Sequence, residues 1–107
     1  MKGRDINEEI WSIDRMVHSP ARLMILSCLS VVASADFTFL LNQSGLTRGN
    51  LSANLTKLED AGYVTITKEF VDKVPRTLIR LTAAGRRAIR KYSEQMQRVI
   101  DGLVTGG

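Results

Sequence analysis

The segment from Thr47 to Gly62 restricts the fold more than any other part of the chain. Its leucines stand at positions 51, 55 and 58, so a helix with about 3.6 residues per turn places them on one side. Thr47 is a preferred residue type for a helix N-cap, and Gly62 readily takes the left-handed conformation that ends a helix. The pattern predicts a short helix that buries its leucine side and leaves the other side exposed.

A second helix and a hairpin are predicted beside this one. In FTFLLNQSG, Phe37, Leu40 and Leu41 fall on one side of a short helix that ends near Gly45. Two short helices joined by a tight turn match a helix-turn-helix unit. Farther along, TITKEF and TLIRL alternate apolar and polar residues as half-buried strands do, and the intervening VDKVPR predicts a hairpin with a basic, mobile tip.

Further helices are predicted at both ends of the chain. An N-terminal amphipathic helix is indicated by apolar residues at helical spacing, namely Ile6, Ile10, Ile13 and Val17. Ser19 and Pro20 then serve as N-cap and first-turn proline of a helix that continues to about Ala33. Thr82 caps the last helix, whose apolar stripe comprises Ile89, Tyr92, Met96, Val99, Ile100 and Leu103.

The two terminal helices indicate a homodimer. The last helix spans residues 82–103, about 33 Å at about 1.5 Å per residue, which is more than a small domain covers. Trp11 lies off the N-terminal stripe and needs cover as well. The alternative is that the two helices cover each other within one chain. The predicted dimer interface comprises Ile6, Ile10, Trp11, Ile13, Tyr92, Met96, Val99, Ile100 and Leu103.

A single domain accounts for all 107 residues, because a chain of this length forms one core of modest size. The predicted fold class is mainly α with a small β-hairpin wing (α+β), a winged helix-turn-helix with flanking N- and C-terminal dimerisation helices. We assign residues 1–18 to the N-terminal helix, 19–81 to the winged helix-turn-helix core and 82–104 to the C-terminal helix.

Positive charge is concentrated in the middle of the chain. Residues 37–91 hold ten cations and four carboxylates, a net charge of +6, whereas the whole chain carries +4. Such a segment favours a polyanionic partner, although a merely soluble basic surface is the alternative. Four of the cations open the last helix, where they either flank DNA or stay solvated: Arg86, Arg87, Arg90 and Lys91.

The exposed side of the helix that starts at Thr47 has the character of a DNA-reading surface. Gly49, Ala53, Thr56 and Asp60 lie opposite the leucines, and the first half of this side is slender and free of carboxylates. A helix fits the major groove, where Asn pairs with adenine and small methyl groups contact thymine. An ordinary solvated helix face is the alternative, and the hairpin cations Lys73 and Arg76 weigh against it.

The predicted DNA-binding residues differ in the contact expected of each. Arg48 stands near the buried stripe and is better placed for a phosphate than for a base, whereas Asn50, Ser52 and Lys57 are the favoured contacts. For Asn54, a structural hydrogen bond and a DNA contact remain open. The full set comprises Thr47, Arg48, Asn50, Ser52, Ala53, Asn54, Lys57, Lys73 and Arg76.

A family resemblance covers about half of the chain, from Phe37 to Arg86. The run GLTRGNLSANLTKLEDAGYV, followed by KEF, PRT and LTAAGRRA, resembles the winged helix DNA-binding family of small MarR-like and ArsR-like transcriptional regulators. HSPARLMIL is similar to the core helix that precedes it. The resemblance implies a dimeric regulator that binds double-stranded DNA, with the helix from Thr47 in the major groove and the loop 73–76 on the backbone or minor groove. Ala53 departs from the Arg or His that many members carry.

Other function classes find little support in the sequence. One histidine, His18, and one cysteine, Cys28, provide neither the ligands of a zinc site nor a nucleophile and base, so we expect no enzyme, metal or cofactor. No run of about 18 apolar residues predicts a membrane span, and the charged start has no signal-peptide core, so we expect a cytoplasmic protein. The remaining alternative is a winged-helix module that docks on protein without specific DNA binding.

Overall fold

The computed structural model describes residues 6–105, which form five helices and a three-stranded antiparallel sheet. The predicted α+β fold class is confirmed. In chain order the elements are α1 (Ile6–Trp11), α2 (Pro20–Leu29), β1 (Ala35–Asp36), α3 (Phe37–Ser44), α4 (Arg48–Asp60), β2 (Val64–Val71), β3 (Val74–Leu81) and α5 (Ala83–Val104).

Side-chain caps fix where the helices begin. Ser19, Thr47 and Thr82 each accept a hydrogen bond from a backbone N–H three residues ahead, so these predicted N-caps are confirmed. Asp36 caps α3 in the same way. Gly45 ends α3 in the left-handed conformation, at a φ of 71°. Because Thr47 follows so soon after Gly45, the turn between α3 and α4 is tight, as a helix-turn-helix requires.

The hydrophobic core lies between α2, α3, α4 and the sheet. Leu51, Leu55 and Leu58 are buried as the spacing predicted, and each contributes about 1.5–3 kcal/mol by leaving water. They pack with residues from the other elements, namely Val17, Ile25, Leu26, Leu29, Ala35, Leu40, Val64 and Ile79. Since one side of α4 is committed to this core, the opposite side faces solvent.

Two of the predicted helices are shorter than expected. The prediction of an N-terminal helix over residues 1–18 is wrong beyond Trp11; its first five residues lie outside the part that the structure describes. The backbone N–H of Met16 donates to Asp14 Oδ1 at 2.9 Å, a local bond that competes with helix formation. Val17 reaches the core from a loop instead. The second helix ends at Leu29, ahead of the predicted Ala33.

The sheet contains a strand that the sequence analysis did not predict. The strand β1, only two residues long, pairs with β3, which gives the order β1-β3-β2. The predicted six-residue connection between the other strands is also wrong, because Val71 pairs with Val74. The turn consists of Asp72 and Lys73, both at positive φ, as in the tight hairpins that match strand twist. Lys73 therefore stands at the tip of the wing and Arg76 within a strand.

The terminal helices contact each other within one chain. Arg98 donates to Glu9 Oε1 at 2.7 Å, and Gln95 Nε2 donates to the hydroxyl of Ser12 at 3.0 Å. Both Glu9 and Gln95 are buried by this packing of α1 on α5. This contact supports in part the alternative that the two helices cover each other within one chain. Trp11 nevertheless remains 70% exposed.

Candidate nucleic-acid interface

The outward side of α4 is polar, slender and exposed. Its residues up to position 57 are all exposed, namely Arg48, Gly49, Asn50, Ser52, Ala53, Thr56 and Lys57, and the exposed carboxylates Glu59 and Asp60 follow at the far end. A Cβ added at Gly49 would meet nothing within 4 Å, so the fold itself does not require a glycine there. Among the described residues, α4 carries no large hydrophobic side chain that is exposed. This surface can therefore approach a groove closely and donate or accept hydrogen bonds.

A cleft of about 480 Å³ lies between α4 and the strand β3 of the wing. The guanidinium of Arg48 stands 5.4 Å from the centre of the Phe37 ring, at cation–π distance. Across the cleft, Arg76 Nη1 lies 3.5 Å from Asp36 Oδ2. The cleft is lined by Asp36, Phe37, Thr38, Arg48, Ser52, Pro75, Arg76 and Thr77. Two guanidinium groups at one cleft are suited to phosphate oxygens, because arginine presents a planar fork of donors.

The wing carries charge and, unexpectedly, an apolar end. Lys73 is exposed at the turn, whereas Arg80 is engaged by Glu69 on the next strand at 3.0 Å. The hydrogen bond from Arg80 and a second from Thr67 lower the pKa of Glu69, and the Arg80–Glu69 ion pair links the two strands of the wing. Phe70 is 78% exposed near the tip. Sequence reasoning missed it, although an aromatic residue so close to a hairpin turn was a usable signal.

Asn54 is turned into the protein. Only 9% of it is exposed, and its Oδ1 accepts a hydrogen bond from Arg22 Nη1 at 2.8 Å. Its Nδ2 donates to the backbone oxygen of Asn50 at 2.9 Å and to Asn50 Oδ1 at 2.8 Å. Of the two roles left open for Asn54, the structure shows the structural hydrogen bond. The DNA contact of Asn54 stays a prediction, and Arg22 is a residue of this site that sequence reasoning missed.

Two sequence comparisons agree with this arrangement of helices and wing. The family model for the winged helix DNA-binding domain matches residues 21–100. The chain belongs to this family. It is 33% identical over 78 residues to an uncharacterized protein of Methanocaldococcus jannaschii, a match that covers 73% of this chain and 85% of the relative. The resemblance carried by residues 37–86 is thereby confirmed.

Solved structures share the winged helix fold over most of the chain. The transcriptional regulator homologue protein from Pyrococcus horikoshii OT3 superposes with a TM-score of 0.83 at 32% identity, covering 90% of this chain and 97% of that one. A MarR family transcriptional regulator from Silicibacter pomeroyi has a TM-score of 0.62 at 23% identity, covering 94% and 65%. The transcriptional repressor CouR, solved on a 23-mer DNA duplex, has a TM-score of 0.73 at 21% identity, covering 94% and 68%.

In this winged helix chain, the residues predicted for a dimer interface divide into two groups. Those exposed on the outside of α1 and the end of α5 are Ile6, Ile10, Trp11, Ile100 and Leu103. Those already packed within the chain are Ile13, Tyr92 and Met96, which are half-buried, and Val99, which is buried. Tyr92 also shares a 2.8 Å hydrogen bond with His18. Val104, which was not among the predicted residues, is 78% exposed at the end of α5.

The loop between α1 and α2 of the winged helix domain is tied to the end of α4. Tyr63, three residues after the end of α4 and directly before β2, donates its phenolic hydrogen to Asp14. The hydrogen bond to that carboxylate, together with burial, raises the pKa of Tyr63 to about 12.

Within residues 6–105, no cluster of three His, Cys, Asp or Glu side chains could hold a metal. None of the helices in this part of the chain combines the length and the apolar character that a membrane span needs.

Proposed function

We propose that this winged helix protein is a transcriptional regulator that binds specific double-stranded DNA as a homodimer. In this proposal α4 enters the major groove, and the wing contacts the backbone or the minor groove. One observation carries the proposal: the first half of α4 is exposed, slender and free of carboxylates, beside a cleft that holds Arg48 and Arg76. The chemistry of this surface is complementary to a groove flanked by phosphates.

The residues expected to contact DNA have distinct roles in this proposal. Asn50, Ser52 and Lys57 supply hydrogen bonds on the reading side of α4, while Ala53 supplies a methyl group. Arg48, Arg76 and Lys73 lie where a backbone would pass, and Thr47 shapes the helix N-terminus, which itself attracts a phosphate. Glu59 and Asp60 stand at the far end of α4 and would repel phosphates there, so only the first half of the helix enters the groove.

The apolar surface at the ends of α1 and α5 supports the proposed homodimer. With 22 residues, α5 is about 33 Å long, which exceeds the two shorter dimensions of the chain, 25 and 21 Å. Trp11 and Leu103 are 70% and 72% exposed, and two-fold pairing would remove both from water. The two α4 helices would then lie about 34 Å apart, one turn of DNA. CouR, which has the same fold, was solved on a DNA duplex.

Selection of bound sequences from a random DNA pool by the purified protein tests this proposal. We expect a near-palindromic site whose half-sites are about 10–10.5 base pairs apart. With six or more phosphate contacts, affinity should fall at least about 10³-fold between about 50 and 200 mM salt. Asn50→Ala and Lys57→Ala should weaken binding to the selected site, whereas Gln97→Ala, an exposed amide on α5, should not. Wild-type affinity in both α4 variants would refute the assignment of the outward side of α4 as the DNA-contacting surface.

Docking on protein is a second candidate function, which the exposed Phe70 near the wing tip favours. That function predicts partner binding that depends weakly on salt and is lost in Phe70→Ser. The polar outward side of α4, which carries no large exposed hydrophobic residue, favours DNA instead. The salt dependence of binding therefore discriminates between the two functions.

A further inference from the structure

The orientation of the Asn54 amide is determined by the chemistry of its partners. Arginine is only a donor, so the Asn54 atom that meets Arg22 Nη1 at 2.8 Å has to be the oxygen. A backbone oxygen is only an acceptor, so the atom that meets the Asn50 carbonyl at 2.9 Å has to be the NH₂ nitrogen. Both requirements agree, and they leave Asn54 with no freedom to exchange the two ends of its amide.

This fixed orientation extends to Asn50. The second hydrogen of the Asn54 NH₂ group points at the side chain of Asn50, 2.8 Å away, and the atom that receives it has to be an acceptor. The Oδ1 of Asn50 therefore faces inward and its own NH₂ group faces outward from an exposed position on α4. If the Asn50 amide turned over, two NH₂ groups would face each other and a largely buried donor would lose its bond.

Arg22 is itself held in place by the loop before α2. Its Nε donates to the backbone oxygen of Met16 at 2.6 Å and its Nη2 to that of Arg15 at 3.3 Å. Both partners are carbonyl oxygens, which only accept, so the guanidinium plane is anchored on two sides before it reaches Asn54. The chain of bonds thus runs from the backbone of this loop through Arg22 and Asn54 to the outward side of α4.

We propose that Arg22 and Asn54 are positioning residues that present Asn50 to DNA as a hydrogen-bond donor. Asn50 then recognises a keto oxygen in the major groove, O6 of guanine or O4 of thymine, and does not accept from the amino group of adenine or cytosine. The bidentate pairing of asparagine with adenine needs the amide oxygen to point outward, and this arrangement directs it inward. The inference rests on the proposed DNA binding, because Asn50 has no such role without it.

Functional-group deletion in the selected DNA site tests the donor polarity. In the major groove every base pair presents one keto oxygen and one amino group, so the two are removed one at a time at the position where Asn50→Ala loses discrimination. 2-Aminopurine for guanine, or 5-methyl-2-pyrimidinone for thymine, removes the keto oxygen; 2-pyrimidinone for cytosine, or purine for adenine, removes the amino group. For the wild type we expect keto deletion to weaken binding about fivefold or more, and amino deletion to have little effect.

The variant Asn54→Asp should reverse this pattern. The new carboxylate still accepts from Arg22 but has no hydrogen to donate, so the Asn50 amide turns over to donate to it and presents its oxygen to DNA. Amino deletion should then weaken binding and keto deletion should not. Asn42→Asp places the same added charge on an exposed residue of α3. It should weaken binding to the selected site and to its keto-deleted and amino-deleted versions by the same factor. If Asn54 had only a structural role, Asn54→Asp would not change which of the two deletions weakens binding.

The outcomes separate this inference from the proposed function. If the pool yields no preferred site, DNA recognition itself fails and the inference fails with it. If a site is selected but the wild type responds to amino deletion, or folded Asn54→Asp keeps the wild-type pattern, only the role of Asn54 is overturned. If Asn54→Asp does not fold, the role of Asn54 is still decided by the base deletions measured with the wild-type protein, together with NMR spectroscopy of that protein. The side-chain NH₂ hydrogens of Asn54 should exchange more slowly than those of Asn42, and equal rates would contradict the bond.

Discussion

Gly49→Ala should separate stability from DNA binding, because the fold does not need this glycine and the proposed interface does. Gly49 is the second residue of α4, and a Cβ built on it meets no atom within 4 Å. A helical glycine is less stable than alanine by about 0.5–1 kcal/mol. The variant should therefore raise the free energy of unfolding by about that amount, measured by urea denaturation without DNA.

The same methyl group should weaken binding to the selected DNA. It projects from the slender side of α4, where the proposed complex brings the helix closest to the groove. An extra methyl in a close-packed contact costs about 1–3 kcal/mol, so affinity should fall about fivefold or more at fixed salt. Fluorescence polarisation with labelled DNA measures this loss. Higher stability combined with lower affinity is the signature, because a damaged fold would lower both.

Gly85→Ala is the matched control. A Cβ at Gly85 would overlap the backbone oxygen of Tyr63 and stand 3.0 Å from Leu81 Cδ1. Neither the overlapped backbone nor the packed side chain yields cheaply, so this variant should lose stability instead of gaining it. Our assignment of the reading side would be refuted if Gly49→Ala bound the DNA with wild-type affinity.

Three further predictions concern the cap, the loop and the dimer. Thr47→Ala should destabilise the protein by about 1 kcal/mol through loss of the bond to the Asn50 N–H, and Thr47→Ser should restore it, as thermal melting would show. The raised pKa of Tyr63, about 12, gives stability that is full below pH 10 and lost as pH rises through 12, so Tyr63→Phe should flatten the alkaline decline in urea denaturation; an unchanged decline would count against the Asp14 contact. Trp11→Ala should sediment as a monomer at micromolar concentration, and unchanged sedimentation would remove α1 from the dimer interface.

The sequence predicted best where hydrophobic period and cap chemistry agree. Leu51, Leu55 and Leu58 lie between Thr47 and Gly62, and the helix, its buried side and both ends follow from that combination. The side facing solvent follows by exclusion. Such agreement is physically informative because burial and capping are independent contributions that here demand the same conformation.

Prediction failed where a short-range polar bond or a distant partner decides the structure. Ile6 to Val17 has helical spacing, yet the Asp14 side chain bonds the Met16 N–H and the chain leaves the helix. The two-residue strand at Ala35 is too short to show a period and exists through its pairing with β3. The inward turn of Asn54 depends on an arginine 32 positions earlier in the chain, which no local pattern contains.

Two of these misses, the early end of α1 and the inward turn of Asn54, involve one region, and that coincidence has a physical reason. The loop between α1 and α2 gives its backbone oxygens to Arg22, its Asp14 carboxylate to Tyr63 and its Ser12 hydroxyl to Gln95. Its contacts therefore reach α5, the start of the wing and, through Arg22, the reading side of α4. Polar bonds of 2.6–3.0 Å tolerate little displacement. A partner subunit packed on α1 and α5 would consequently act on the same loop that fixes the orientation of Asn50.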